Sequence, residues 1–149
     1  ARAIALALTL EGYKVRIFNR TPQRAHSLVR ELGIDAEIVD SADIEGSLLV
    51  VNATAASLAG ESLPISFDGA DSDLLAYDLV YGETPFLQAA REAGLRTMDG
   101  KPLLAAQGAR SQSVAVLGRA SADSDGVEAL RARLRPGRLP GRRRRTCAA

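Results

Sequence analysis

Val15-Arg16-Ile17-Phe18-Asn19-Arg20-Thr21-Pro22-Gln23-Arg24 is the stretch whose reading decides the fold. It reads as a buried strand that ends in a polar, basic turn and then enters a helix. Val15, Ile17 and Phe18 are apolar and β-favouring, as a strand beneath a helical layer requires. Thr21 is placed to N-cap the helix. Pro22, at the first helical position, gives up only an N–H that would have no partner there. A helix N-terminus, two arginines (Arg20 and Arg24), a hydroxyl and the Asn19 amide therefore converge at the end of one strand. In open α/β sheets ligands bind at that end, and a helix N-terminus with arginines favours phosphate. The alternative is an ordinary strand-to-helix turn with solvated arginines.

In dinucleotide-binding folds the second strand ends beside the adenosine ribose. An acidic residue there selects NAD through the 2′-hydroxyl, whereas a nearby arginine accommodates the 2′-phosphate of NADP. Asn19 and Arg20 hold that place here, and no carboxylate follows until Glu31. The residues argue for NADP.

Upstream, residues 1–10 form a strong helix-forming run with Ile4 and Leu8 on an apolar stripe, and Gly12 stops it. A helix that leads into the second strand of a dinucleotide-binding unit should follow a first strand and a glycine-rich loop. Neither lies within these residues, so the expected fold is α/β, a Rossmann-like doubly wound parallel sheet that is incomplete, with the first strand and the glycine-rich loop missing. Downstream, a helix is expected from Pro22 to Leu32, stopped by Gly33. It carries His26, the lone histidine, which has no partner pattern pointing to catalysis. A short strand is expected at Ile38-Val39 and a continuous apolar strand from Leu48 to Thr54. A further strand from Leu74 to Tyr81, a helix from Thr84 to Ala93, a short strand at Arg96–Met98 and a helix opening at Pro102 complete the alternation.

The chain has 149 residues, enough for one domain with a core. Hydrophobic residues make up 46% and charged residues 25%, the balance of a globular domain. A net charge of +1 gives no reason to expect a polyanion partner. The lone Cys147 excludes an internal disulfide framework and fits a reducing, cytoplasmic setting. No apolar run is long enough to span a membrane, and no secretory signal pattern opens the sequence.

Asn19-Arg20-Thr21 with Arg24-Ala25, Val51-Asn52-Ala53-Thr54, Tyr77-Asp78-Leu79-Val80-Tyr81, Thr84-Pro85-Phe86-Leu87, Asp99-Gly100 and Ala106-Gln107-Gly108-Ala109 occur in the order and rough spacing of one family. Over residues 1–109 the chain resembles the NADP-binding half of the shikimate dehydrogenases, which reduce 3-dehydroshikimate to shikimate with NADPH. The resemblance implies that Asn19, Arg20, Thr21 and Arg24 clamp the adenosine ribose and its 2′-phosphate. It implies that Asn52, Ala53 and Thr54 run beneath the cofactor, and that Leu79 and Gly100 lie near the nicotinamide. Tyr81 and Gln107 match the family's substrate-facing tyrosine and glutamine. No catalytic residue and no metal ligand is implied within the chain. The family's catalytic lysine and aspartate belong to a substrate domain expected upstream, which would be the principal partner besides the small-molecule substrate. A homodimer is left open.

The sequence departs from the family in places. Lys101 stands where an apolar residue is usual, Pro102 replaces a common glycine and Leu103 a common methionine. Three segments are expected: a partial NADP-binding domain over 1–110, a helical segment over 111–134 and a basic, disordered tail over 135–149. Within 111–134, residues 113–117 continue the preceding helix and Gly126–Leu134 form an amphipathic one. The tail includes Arg142 to Arg145, but a solvated run is favoured over a nucleic-acid site. Two other readings stand beside the enzyme: a non-catalytic NADP-binding module or degenerate paralogue, and the nucleotide domain of glutamyl-tRNA reductase, which also carries Asn-Arg-Thr after its second strand.

Overall fold

A computed structural model describes residues 1–105, 107 and 145–148, the last four as backbone. The expected helices within 111–134 lie outside the described residues. The elements, in chain order, are α1 (Arg2–Leu10), β1 (Lys14–Phe18), α2 (Pro22–Leu32), β2 (Ala36–Val39), β3 (Ser47–Asn52), a 3-10 turn (Ala56–Ala59), β4 (Leu75–Asp78), α3 (Pro85–Glu92), β5 (Arg96–Met98) and β6 (Arg145–Ala148). A further helix, α4, opens at Lys101, one residue before the expected Pro102.

The strands form one six-stranded sheet in the order β2-β1-β6-β3-β4-β5. Every pairing is parallel. A doubly wound sheet runs 3-2-1-4-5-6 in sequence numbering. Here β2 and β1 take the first two places and β3, β4 and β5 the last three. The place of the first strand, between β1 and β3, belongs to β6.

Among the described residues no strand precedes α1, as expected, and β6 takes the first strand's place; the expectation of a disordered tail is corrected at residues 145–148, which form that strand. Val15 pairs with Thr146 on one side, and Leu49 with the same residue on the other. The physical reason is backbone hydrogen bonding. β1 and β3 are central strands whose N–H and C=O groups are out of reach of water, and an unpaired buried amide costs about as much as a lost hydrogen bond. A short segment of indifferent sequence is drawn into the gap because it satisfies both neighbours. The pairing with β3 is irregular between Ser47 and Leu49, so the fit is not perfect.

Both faces of the sheet are covered. One core gathers Ala5, Leu8, Val15, Ile17, Ala25, Leu49, Val51 and Tyr77 under α1 and α2. The other gathers Ile44, Val50, Phe67, Leu74, Ala76, Phe86 and Leu87 beneath α3. β3 is buried along its whole length, as its unbroken aliphatic run requires. Leu49, Val50 and Val51 are each 0% exposed, and burying such a side chain stabilises by about 1.5–3 kcal/mol. α2 ends as expected at Gly33, whose φ of 60° is the left-handed conformation that closes a helix. β3 and β4 stop two and three residues sooner than the apolar runs suggest, so Thr54 and Tyr81 stand beyond the strands in loops.

Arg16 is an exception to the apolar pattern of β1. It is buried, and its guanidinium donates to Asp43 Oδ2 at 2.8 Å, the Glu45 carbonyl at 3.0 Å and Ser47 Oγ at 2.9 Å. It ties the turn that leads into β3 to β1, across the intervening β6.

Deleting residues 145–149 should expose the inner edges of β1 and β3. Hydrogen exchange of the Val15–Ile17 and Leu49–Val51 amides that point into the slot should accelerate at least tenfold, while Ala76 and Tyr77 on β4 stay protected. Unchanged exchange at β1 and β3 would show that β6 does not hold the centre of the sheet.

Candidate functional site

The carboxyl ends of β1 and β3 open into a cleft of about 540 Å³. Phe18, Asn19, Arg20, Thr21 and Arg24 line it from the β1–α2 side, and Ala53, Thr54, Ala55, Ala56 and Ala59 from the other. It lies where strand order reverses across the central slot, the place where open α/β sheets hold ligands. Six of the residues singled out from the sequence (Asn19, Arg20, Thr21, Arg24, Ala53 and Thr54) thus meet in one cleft. One carboxylate, Glu61, is also among the lining residues.

The β1–α2 turn is built differently from the expectation. Thr21 holds the N-cap position, but its side chain makes no capping hydrogen bond. The turn is set instead by Asn19, whose Oδ1 accepts the Thr21 N–H at 2.9 Å. Asparagine closes such a turn readily because its short side chain reaches the backbone two residues on. The Thr21 hydroxyl is therefore not committed to the helix. No acidic residue stands in the first turn of α2 to satisfy the positive end of its dipole. Arg20 and Arg24 add two exposed guanidiniums to that end. Chemically this arrangement can receive an anion, with a hydroxyl beside it.

Asn52 is close to the cleft but not exposed to it. It is 0% exposed, and its side chain is taken up by the protein. Its Oδ1 accepts the Thr54 N–H at 3.0 Å and the Thr54 hydroxyl at 2.9 Å. Its Nδ2 donates to Ser57 Oγ at 2.7 Å and to Asp78 Oδ2 at 3.0 Å. The Asp78 carboxylate is the hub that sequence reasoning missed. Oδ2 also accepts the Ser57 hydroxyl at 2.6 Å and the Thr84 hydroxyl at 2.8 Å. Oδ1 accepts the Val80 N–H at 3.0 Å. The signal in the sequence was an acidic residue inside an apolar strand, since an aspartate there must be buried with its donors supplied.

Leu79 and Gly100 do not line the cleft; they pack on each other. The Gly100 N–H donates to the Val80 carbonyl at 3.1 Å. A Cβ at Gly100 would lie 2.1 Å from the Leu79 carbonyl oxygen and 2.8 Å from its carbon. The close approach that this glycine permits is that of the protein's own backbone.

Asp99, just before it, accepts the Gly82 N–H at 2.9 Å and the Lys101 N–H at 3.2 Å. The Gly82 hydrogen bond is the main reason its carboxyl titrates below the ordinary range. That contribution to stability is present above the unfolded carboxylate pKa and is lost as pH falls through the lower folded value. Tyr77 is shifted the other way, upward, first by burial and then by the Asp99 charge. Lys101 extends beside Asp99 at 3.5 Å and is otherwise solvated. Tyr81 is 57% exposed, and Gln107 is exposed on α4. Among the described residues no cluster of histidine, cysteine or carboxylate side chains could hold a metal, and no helix is long and apolar enough to cross a membrane.

No protein-family model matches the chain. Individual proteins do. It is 37% identical over 117 residues to the shikimate dehydrogenase (NADP(+)) of Ignicoccus hospitalis, a match that takes in 76% of this chain and 44% of that protein. The crystal structure of shikimate dehydrogenase from Aquifex aeolicus superposes with a TM-score of 0.68 at 30% identity, over 87% of this chain and 48% of the other. That of shikimate 5-dehydrogenase from Thermus thermophilus, in complex with shikimate, gives 0.64 at 36% identity, over 89% and 49%. The chain spans about half the length of these proteins.

Gly100→Ala forces a methyl group onto a backbone carbonyl, so something must shift. Overpacking of this kind typically costs about 1–3 kcal/mol. The denaturant midpoint should fall accordingly, and a variant as stable as the parent would contradict the close approach.

Proposed function

We propose that this chain, which is related to the shikimate dehydrogenases over their C-terminal half, is the cofactor-binding half of an NADP-dependent oxidoreductase of that type. The reaction is the reduction of 3-dehydroshikimate to shikimate. The observation that carries the reading is the convergence of Asn19, Arg20, Thr21 and Arg24 with Ala53 and Thr54 in one cleft at the switch point of the sheet.

In this reading the α2 N-terminus, Arg20 and Arg24 take the 2′-phosphate of the adenosine ribose. A guanidinium meets a phosphate through two parallel hydrogen bonds, which also fixes its orientation. Asn19 shapes the turn, and the Thr21 hydroxyl adds a neutral donor or acceptor. Ala53 and Thr54 form the small-residue wall on which the adenosine half rests, with Asn52 holding Thr54 from behind. Leu79 and Gly100 shape the backbone toward the nicotinamide end. Tyr81 and Gln107 supply hydroxyl and amide groups to the substrate across the cleft. The bound nicotinamide supplies the hydride chemistry, and this half binds and orients it. The proton that accompanies the hydride is managed by side chains outside the described residues.

By domain, the NADP-binding unit of this reading is residues 1–110. The shikimate-reducing assignment is favoured over a stand-alone NADP module by Tyr81 and Gln107, which a module without substrate does not need. The same pair and the Tyr77–Tyr81 strand end weigh against a glutamyl-tRNA reductase domain.

Binding of 2′,5′-ADP and of 5′-AMP, which lacks the 2′-phosphate, tests the cleft without needing turnover. Losing a charged hydrogen bond of this kind costs about 1.5–3 kcal/mol, roughly tenfold to over a hundredfold in affinity. Arg20→Ala should weaken 2′,5′-ADP by that factor and leave 5′-AMP nearly unchanged; an equal loss for both would sink the assignment. Residues 1–149 alone should not turn over shikimate with NADP, since the resemblance puts the family's catalytic lysine and aspartate in the upstream substrate domain. Measurable NADPH formation would overturn that division of labour.

A further inference from the structure

We propose that Asp78 is a positioning residue for the adenosine wall of the cleft, acting through Ser57 and Asn52. The inference deepens the function proposed above and rests on it for the identity of the ligand.

The carboxylate is 0% exposed, and among the described residues no lysine or arginine pairs with it. Burying a carboxylate without a cation is expensive unless hydrogen bonds replace its water. Here they do, in an uneven way. One oxygen, Oδ2, accepts from three side chains, Asn52 Nδ2, Ser57 Oγ and Thr84 Oγ1. The other accepts the Val80 N–H. An alcohol or an amide at this position could not accept from all of them. The uncommon residue provides a single atom at which three chain segments meet.

Two of the three segments belong to the cleft. Ser57 sits in the 3-10 turn whose Ala56 and Ala59 line it. Asn52 passes the constraint on through its Oδ1 to Thr54, and Thr54 Oγ1 in turn accepts the Ala56 N–H at 3.2 Å. From Asp78 to the wall is therefore one side chain on either route. The third segment leads away. Thr84 caps α3, its hydroxyl oxygen accepting the Leu87 N–H at 3.2 Å while its proton goes to Asp78. The hub thus has a ligand side and a scaffold side, and the two can be cut separately.

The test compares Ser57→Ala, which cuts the Ser57 arm of the ligand side, with Thr84→Val, which cuts the scaffold side at the same oxygen. Both should lower the melting temperature. Titration with 2′,5′-ADP should show affinity about five- to tenfold weaker in Ser57→Ala, the scale of one lost buried hydrogen bond. In Thr84→Val it should stay within about twofold. Amide exchange is read in the same proteins without ligand: Thr54 and Ala56 should exchange faster in Ser57→Ala and unchanged in Thr84→Val. A purely structural carboxylate predicts that both variants move affinity and exchange together, in step with melting temperature, and that result overturns the proposal. If the unmutated chain fails to bind 2′,5′-ADP, the ligand assignment falls instead. The positioning role then stands or falls on whether Thr54 and Ala56 exchange responds to Ser57→Ala alone.

Discussion

The constraint on which the rest of this structure depends is the pairing of backbone amides at the centre of the sheet. β3 is buried along its whole length and β1 nearly so, so neither can leave a row of N–H and C=O groups unpaired. One strand lies between them, and at a spacing of about 4.8 Å per strand that holds their carboxyl ends roughly 10 Å apart. The separation is what gives the cleft its room. Were β1 and β3 direct neighbours, the Asn19–Arg24 turn would close onto Ala53 and Thr54. The central strand is thus part of the site through the spacing it sets between β1 and β3.

The elements legible in the sequence were those with local causes. β3 announced itself as an aliphatic run, α2 and α3 by proline at the start and a glycine beyond the end, and the parallel class by the alternation of strands with helices. β6 had no such cause. Arg145, Thr146, Cys147 and Ala148 form no apolar run, and in a basic stretch they read as solvated. They are a strand because a neighbour on each side requires one, which is a tertiary demand that local preference does not record. Arg16 was illegible for a related reason. A buried arginine on a strand makes sense only once Asp43, Glu45 and Ser47 arrive from elsewhere in the chain to receive it.

The candidate site divides in the same way. The β1–α2 turn could be read because it is contiguous, although the closing hydrogen bond came from Asn19 and not from the expected Thr21. The resemblance puts Gly100 near the nicotinamide; what its own sequence context did not reveal is that the Leu79 carbonyl oxygen packs against it. Asp78 could not be assigned a role at all, since its donors come from positions 52, 57, 80 and 84 and meet only after β3, β4 and α3 have packed. Contiguous chemistry was visible; chemistry assembled across strands was not.

The loop after β4 shows what such assembly achieves. Its two carboxylates act from opposite ends. Asp78 takes the Val80 N–H, and Asp99, from beyond β5, takes the Gly82 N–H. The Val80 carbonyl is held in turn by the Gly100 N–H. Tyr81 lies between these anchors with its side chain open to solvent. A ring on a fixed backbone has little left to lose on meeting a ligand, because only its own rotamers remain to be ordered. An exposed tyrosine on a mobile loop would give up part of its binding energy to ordering the chain. The hydrogen bonds on either side of Tyr81 hold its backbone before any ligand arrives.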